Sequence, residues 1–127
     1  MAAAIETEAL TKDFHAGFWR PRPYRALDAL TLSVDAGEVF GFLGPNGAGK
    51  STTLKLLMQL LYPTSGEARI LGTPAGDTGV RQRIGFLAEN PYFYDYLTAE
   101  ELLSYFARLF GYRGADVAVR VRRVLDD

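Results

Sequence analysis

The 127-residue chain contains no cysteine and only one histidine. The absence of cysteine excludes a disulfide scaffold, a thiolate metal site and a cysteine nucleophile, and it fits the reducing conditions of the cytosol. No apolar run approaches the roughly 18–20 residues that a membrane-spanning helix needs. The chain also lacks an excess of one charge, because 14 basic residues stand against 15 acidic ones. Bulk charge therefore excludes a strongly basic nucleic-acid-binding protein and leaves only a local basic patch to consider.

The composition and length are those of one globular domain, since 48% of the residues are hydrophobic and the charges are mixed. The first third predicts a β unit. Residues 5–14 and 30–34 show the alternation of strands, joined by a loop or long hairpin connection over residues 15–25. A turn is predicted at residues 35–38.

The middle of the chain has a different pattern. Residues 39–43 and 84–87 are short continuous apolar runs, which predict strands buried on both faces. Between them, residues 51–61 predict an enclosed helix. In the last third, a capping box of Thr98 and Glu101 predicts the start of another helix. A further helix is expected to open at Asp116.

A glycine-rich loop precedes the first of these helices. Residues 44–51 read Gly-Pro-Asn-Gly-Ala-Gly-Lys-Ser and fit the phosphate-binding pattern G-x-x-x-x-G-K-[ST]. Glycines let successive amide N–H groups point inward at phosphate oxygens, and the helix adds the positive end of its dipole. We expect Lys50 to reach the β- and γ-phosphates, Ser51 to ligate Mg²⁺ and Thr52 to lie near the α-phosphate. A chance match in an ordinary turn is disfavoured by the strand pattern before the loop and the helix after it.

Further segments surround this loop in a characteristic order. They are Leu-Thr-Lys-Asp-Phe ending at residue 14, Asp-Ala-Gly-Glu at 35–38, Gly-Pro-Asn-Gly-Ala-Gly-Lys-Ser-Thr-Thr at 44–53 and Pro-Thr-Ser-Gly ending at residue 66. In order and spacing they resemble the N-terminal part of an ABC transporter ATPase subunit, over nearly the whole chain. The segment Ile-Gly-Phe-Leu-Ala-Glu-Asn, which ends at residue 90, looks most like the drug, polysaccharide and ABC-2-type exporter branch.

The resemblance implies an α/β fold. A P-loop NTPase core would carry a small antiparallel β subdomain and the start of a helical subdomain, as an incomplete ABC-type nucleotide-binding domain. The implied parts are residues 5–38 for the β part, 39–90 for the core up to the Q-loop, with a β segment near 66–72, and 91–127 for the helical start.

The resemblance also implies the residues that hold ATP and Mg²⁺. Adenine would stack on Phe14, although Phe14 could instead pack within the β unit, and Phe18, Trp19 or Tyr24 could take its role. Glu89 stands where the family usually has the Q-loop glutamine. It would act with Lys50 in catalysis and with Ser51 on Mg²⁺, or else be a solvated loop acid. The expected nucleotide-binding residues are Phe14, Gly44, Pro45, Asn46, Gly47, Ala48, Gly49, Lys50, Ser51 and Thr52.

Two clusters of side chains concern the partners that this chain would contact. Four aromatic residues within positions 92–96 lie where the family meets the coupling helix of a transmembrane subunit, or they pack on the following helix. Arg20, Arg22 and Arg25 form a basic cluster without a nearby acid, which could meet lipid headgroups, a partner or only solvent. The resemblance implies a transmembrane permease subunit and a second nucleotide-binding domain as partners, at the cytoplasmic face of a membrane, and no nucleic acid.

The family completes its site with a Leu-Ser-Gly-Gly signature, an apolar strand ending in Asp-Glu and a downstream histidine. None of these is in the sequence, and His15 is too far upstream for that histidine. The chain is therefore expected to be about the first half of the domain, which binds ATP without the general base for hydrolysis. The alternatives are a soluble ABC protein of translation or DNA repair, a non-hydrolysing regulatory module, and a GTPase or nucleotide kinase.

Overall fold

The computed structural model describes residues 2–127, which form two compact units that divide after Ile84. Among the described residues of the first unit, four strands make one antiparallel sheet in the order β2-β1-β3-β4. The strands are β1 (Ala3–Ala16), β2 (Arg22–Asp35), β3 (Ser65–Ile70) and β4 (Thr73–Pro74). The first unit also contains the helices α1 (Lys50–Leu57) and α2 (Thr78–Arg81).

Strands β1 and β2 form a hairpin that is longer than the alternation predicted. They pair from Ala3 opposite Asp35 to Ala16 opposite Arg22, so the connection shrinks to residues 17–21. The register shifts in the middle of the hairpin, where Ala29 has a φ of 46°. There the Thr11 hydroxyl accepts a hydrogen bond from the Ala29 amide at 3.0 Å. The Thr11 side chain thus accepts a hydrogen bond from a backbone amide that the irregular pairing of the strands leaves without a backbone acceptor.

Helix α1 is fixed on the sheet by two adjacent leucines. Leu56 packs with Leu10 of β1 and Leu27 of β2, while Leu57 packs with Ile70 of β3 and residues of the α2 region. The helix ends at Leu57, four residues before the predicted end. Because Leu56 and Leu57 pack against three strands, the start of the helix is held next to the hairpin.

The prediction of buried strands at residues 39–43 and 84–87 is wrong. Neither segment belongs to a strand of the described chain. Val39 is 100% exposed, and Leu43 and Leu87 are largely exposed. A strand needs a neighbour that completes its backbone hydrogen bonds, and within residues 2–127 neither segment is paired with one. The continuous apolar pattern indicates side chains that can be buried, but it supplies no pairing partner.

The second unit contains α3 (Ala99–Leu109) and α4 (Ala115–Asp126), and both predicted helices are confirmed. The capping box is present as predicted. The Glu101 amide donates to the Thr98 hydroxyl at 3.2 Å, and the Thr98 amide donates to the Glu101 carboxylate at 2.8 Å. Val117 and Val121 of α4 are buried. Within residues 2–127, the helices are all too short or too polar to cross a membrane.

Candidate nucleotide-binding site

The glycine-rich loop leads directly into α1, and its backbone needs glycine at two positions. Gly47 has a φ of 84° and Gly49 a φ of 95°, both in the left-handed region that L-residues disfavour. Gly49 also lacks space for a side chain. A Cβ atom there would lie 2.7 Å from the carbonyl oxygen of Ala26 in β2. The loop therefore approaches the hairpin more closely than any other residue type would allow.

The first turn of α1 is left open toward the loop. Gly49 is the N-cap and has no side chain to cap the helix, and the first turn of the described helix contains no acidic residue. The Thr53 amide and hydroxyl both donate to the Gly49 carbonyl, at 2.9 and 2.8 Å. The amide groups before Thr53 have no intrahelical acceptor, as at any helix start. Together with the helix dipole, they present a positive potential that suits an anion.

The Lys50 side chain folds back over the loop. Its ammonium group donates to the carbonyl oxygens of Gly44 and Pro45, the latter at 2.9 Å. An ammonium group has three donors, so one remains for a ligand. A mobile surface lysine would have no such anchor. The positive charge of Lys50 is thus held above the glycine loop, next to the uncapped start of α1.

The hairpin brings Phe14 toward this loop. Phe14 pairs with Tyr24 across the hairpin, and Tyr24 is two residues from Ala26, which touches Gly49. At about 3.3 Å per residue, Phe14 therefore lies roughly 7 Å along the hairpin from the loop contact. Tyr24 is the other aromatic residue at this level, whereas Phe18 and Trp19 lie in the turn at the far end of the hairpin.

Lys12 fixes the surroundings of Phe14. Its ammonium nitrogen is 5.2 Å from the centroid of the Phe14 ring and donates to the Tyr62 carbonyl at 2.7 Å. This contact ties the end of β1 to the segment that follows α1. The Phe14 ring keeps about a third of its surface exposed, which leaves room for a flat ligand.

Arg25 does have acidic neighbours, so that part of the basic-cluster prediction is wrong. Its guanidinium group binds Asp13 at 2.8 Å and Asp28 at 3.1 Å. The hydrogen bond from Arg25 lowers the pKa of the Asp13 carboxyl, and the same contact raises the pKa of Arg25. Asp13 and Arg25 are 12 residues apart and meet only because they are opposite each other in the hairpin. A prediction of the register of β1 and β2 would therefore have predicted this ion pair.

Glu89 lies in the second unit, on an exposed segment without regular structure, whereas Ser51 lies in the first unit. The structure thus does not bring the two expected Mg²⁺ ligands together within one unit. Among the residues it describes, no three histidine, aspartate or glutamate side chains form a metal-binding group. The assignments of Ser51 and Glu89 to Mg²⁺ stay predictions.

The aromatic segment that follows Glu89 divides into packed and exposed rings. Tyr94 contacts Tyr105 of α3 with ring centroids 6.0 Å apart, and it contacts Tyr92 and Tyr96 at 6.0 and 5.7 Å. Tyr92 and Tyr96 themselves are mostly exposed. Packing on the following helix therefore holds for Tyr94, whereas contact of the exposed rings with a transmembrane subunit stays a prediction.

Comparison with known proteins identifies the same family as the sequence motifs do. The ABC transporter family matches residues 27–126. An uncharacterised ABC transporter ATP-binding protein of Nostoc is 43% identical over 124 residues, which are 98% of this chain and 37% of that protein. The daunorubicin/doxorubicin resistance ATP-binding protein DrrA of Streptomyces peucetius is 42% identical over 126 residues, covering 97% of this chain and 36% of DrrA. The chain thus spans about a third of the length of these relatives.

Solved structures agree in fold. The ATP-binding cassette MJ0796, a dimer in a post-hydrolysis state bound to ADP and Pi, matches with a TM-score of 0.79 and 29% identity, over 96% of this chain and 56% of that one. A second dimeric structure of the same cassette matches with a TM-score of 0.77 and 32% identity, over 96% and 54%. The sequence-based assignment and its α/β fold class are confirmed. The chain has the glycine loop and the anchored lysine, and its relatives are ATP-binding proteins of ABC transporters. It therefore belongs to the ABC transporter family as part of an ATP-binding subunit.

Proposed function

We propose that residues 44–52 bind the triphosphate of ATP and that the adenine ring stacks on Phe14. The observation that carries the proposal is the Lys50 ammonium, held over a glycine loop at an uncapped helix start with one donor free. The position of Phe14 supports the second part, because it lies on the hairpin that touches Gly49. Stacking on an aromatic ring binds a base without polar readout.

The residues also fit Mg²⁺ as the companion of ATP. Bound Mg²⁺ would neutralise charge on the β- and γ-phosphate oxygens. Ser51, the second residue of α1, would contribute a hydroxyl ligand, and the Glu89 carboxylate would supply an oxygen of the kind that Mg²⁺ prefers. Lys50 would neutralise charge on the same phosphates and would thereby act in catalysis. A carboxylate in place of the usual Q-loop amide would bring a negative charge that the amide lacks.

We further propose that the complete protein couples ATP hydrolysis to transport and that this chain alone binds ATP without steady turnover. The chain matches only about a third of its relatives' length. The sequence lacks the apolar strand ending in Asp-Glu that supplies the family's general base, and a hydrolase needs such a base. The name of the bacitracin transport ATP-binding protein BcrA of Bacillus licheniformis, which is 38% identical over 113 residues, supports a role in transport.

The partners that fit this role are a transmembrane permease subunit and a second nucleotide-binding domain, at the cytoplasmic face of a membrane. The exposed rings of Tyr92 and Tyr96 support the first, since aromatic residues are enriched in the cores of protein interfaces. The dimeric cassette among the matching structures supports the second. Co-purification of the full-length protein with an integral membrane protein, reduced when both tyrosines are changed to serine, would test the permease contact.

The nucleotide site is tested by two lysines of the same helix. Mg·ATP at about 100 times its Kd should stabilise the folded chain by about 2.7 kcal/mol, measured as a rise in Tm. Lys50→Ala should weaken binding at least about tenfold, because it removes charge-assisted hydrogen bonds. Lys55→Ala removes the same charge from an exposed position in the last turn of α1 and should leave binding unchanged. Equal losses in the two variants, or no rise in Tm with millimolar Mg·ATP, would contradict the site.

Phosphate release tests the proposal about turnover separately. The 127-residue chain should bind Mg·ATP and release no phosphate above the background of the Lys50→Ala variant. Steady release that Lys50→Ala abolishes would overturn the proposal that this chain lacks hydrolysis, while leaving the binding site intact.

A further inference from the structure

The end of the β1–β2 hairpin exposes two large aromatic side chains that the fold does not use. We define the hairpin tip as residues 17–22. Phe18 is 93% exposed and Trp19 is 89% exposed, and their rings contact each other edge to face with centroids 5.8 Å apart. Neither ring belongs to a hydrophobic core cluster of the described chain. Single exposed apolar residues are ordinary, but a contacting pair at the end of a projecting element indicates a binding surface.

The tip projects beyond the sheet. β3 pairs with β1 only as far as Thr11, and the rest of β1 pairs with β2 alone. The five residues from Lys12 to Ala16 therefore extend the hairpin by about 17 Å beyond that pairing. The glycine loop touches β2 at Ala26, which lies at the base of this extension, level with Lys12 and Asp13, and away from the tip. The rings of Phe18 and Trp19 thus take no part in the pairing or packing of the sheet.

The charge of the tip is positive. No aspartate or glutamate occurs between Asp13 and Asp28, and the tip itself contains Arg20 and Arg22. Arg25, the third arginine of the segment, is bound by both flanking aspartates at the base of the extension. Two arginines therefore accompany the two aromatic rings in a stretch without an acidic residue.

We propose that the hairpin tip binds the surface of an anionic membrane, with Phe18 and Trp19 at the level of the headgroups and Arg20 and Arg22 on lipid phosphates. Tryptophan and phenylalanine bury in the interfacial region, and arginine binds phosphate groups through a planar, often bidentate guanidinium. A single-stranded nucleic acid is the less fitting partner. The chain as a whole carries a charge of −1, and two arginines are few for a phosphate backbone.

The chain contains its own reporter, because Trp19 is its only tryptophan. Vesicles of phosphatidylcholine with phosphatidylserine should shift Trp19 emission to the blue, and brominated lipid in those vesicles should quench it. Vesicles of phosphatidylcholine alone should bind more weakly, and added salt should weaken binding to the anionic ones. Lys50→Ala should not change vesicle binding, since the tip does not depend on the nucleotide site.

Two double variants distinguish vesicle binding through the hairpin tip from a general effect of positive charge on the protein. Arg20→Gln/Arg22→Gln should weaken binding to anionic vesicles about 20- to 30-fold, since each basic residue near such a surface contributes about fivefold. Arg122→Gln/Arg123→Gln removes the same charge from exposed positions of α4 and should change binding by no more than about twofold. Phe18→Ser should also weaken binding while leaving Trp19 in place.

Several results would overturn the proposal. One is unchanged Trp19 emission with anionic vesicles while the circular dichroism spectrum shows a folded chain. Equal losses in the two arginine double variants, or full binding by Phe18→Ser, would also contradict it. So would tighter binding of a single-stranded RNA than of anionic vesicles, measured by the same emission.

Discussion

Replacing Gly49 by alanine should destabilise the first unit through both the conformation and the surroundings of this residue. The φ of 95° costs an L-residue about 1–2 kcal/mol. Alanine returns about 0.4–1 kcal/mol by restricting the unfolded chain. The new Cβ would lie 2.7 Å from the Ala26 carbonyl oxygen, and relieving such overpacking costs about 1–3 kcal/mol. The net loss should be about 2–3 kcal/mol.

Gly47→Ala is the matched control. Gly47 has a similar φ of 84°, but a Cβ there would meet nothing within 4 Å. Its loss should therefore stay at about 1 kcal/mol, the conformational part alone. The difference between the two variants measures the contact between the glycine loop and β2.

Urea unfolding followed by circular dichroism measures both losses. With an m-value of about 1–3 kcal/mol/M, the midpoint of Gly49→Ala should fall by about 1 M or more below that of the natural chain. Gly49→Ala should also lose Mg·ATP binding, because relieving the clash moves the start of α1 away from the hairpin. Equal midpoints for the two alanine variants would refute the close approach of the loop to Ala26.

Three further outcomes are expected. Phe14→Ala should weaken binding of Mg·ATP more than binding of inorganic triphosphate, and equal losses by calorimetry would remove Phe14 from the adenine site. Glu89→Ala should raise the Mg²⁺ concentration needed for half-maximal ATP binding, and an unchanged value would leave Glu89 a solvated loop acid. The lowered pKa of Asp13 means that its pair with Arg25 stabilises the fold above pH 3.8, and this contribution disappears as the pH falls through the folded-state pKa. Asp13→Asn should therefore flatten the acid limb of a stability–pH curve, and an unchanged limb would contradict the pair.

Local signals predicted the parts of the fold that neighbouring residues decide. The capping box at Thr98 lies where the side-chain pattern places it, because both of its hydrogen bonds span three residues. The glycine loop and the helix that begins at Lys50 follow in the same way from backbone requirements within a few positions. The alternation in β1 and β2 predicted the hairpin, although their pairing extends further toward the turn.

Features that depend on distant residues were predicted less well. The apolar runs at residues 39–43 and 84–87 predict strands, yet a strand exists only with a paired neighbour. The pairing of Arg25 with Asp13 required the hairpin register, which alternation alone does not specify. The contact of Gly49 with Ala26 depends on how leucines of α1 pack on the sheet. Sequence spacing carries no information about that contact.

Amide nuclear magnetic resonance of the 14.0 kDa chain during a titration with Mg·ATP tests the nucleotide site most directly. If the glycine loop holds the triphosphate, the largest shifts should fall on the amides of residues 46–52, whose N–H groups surround the phosphates. Lys50→Ala should abolish those shifts, and Lys55→Ala should retain them. Saturable shifts centred on another segment, with the loop amides unchanged, would contradict the account.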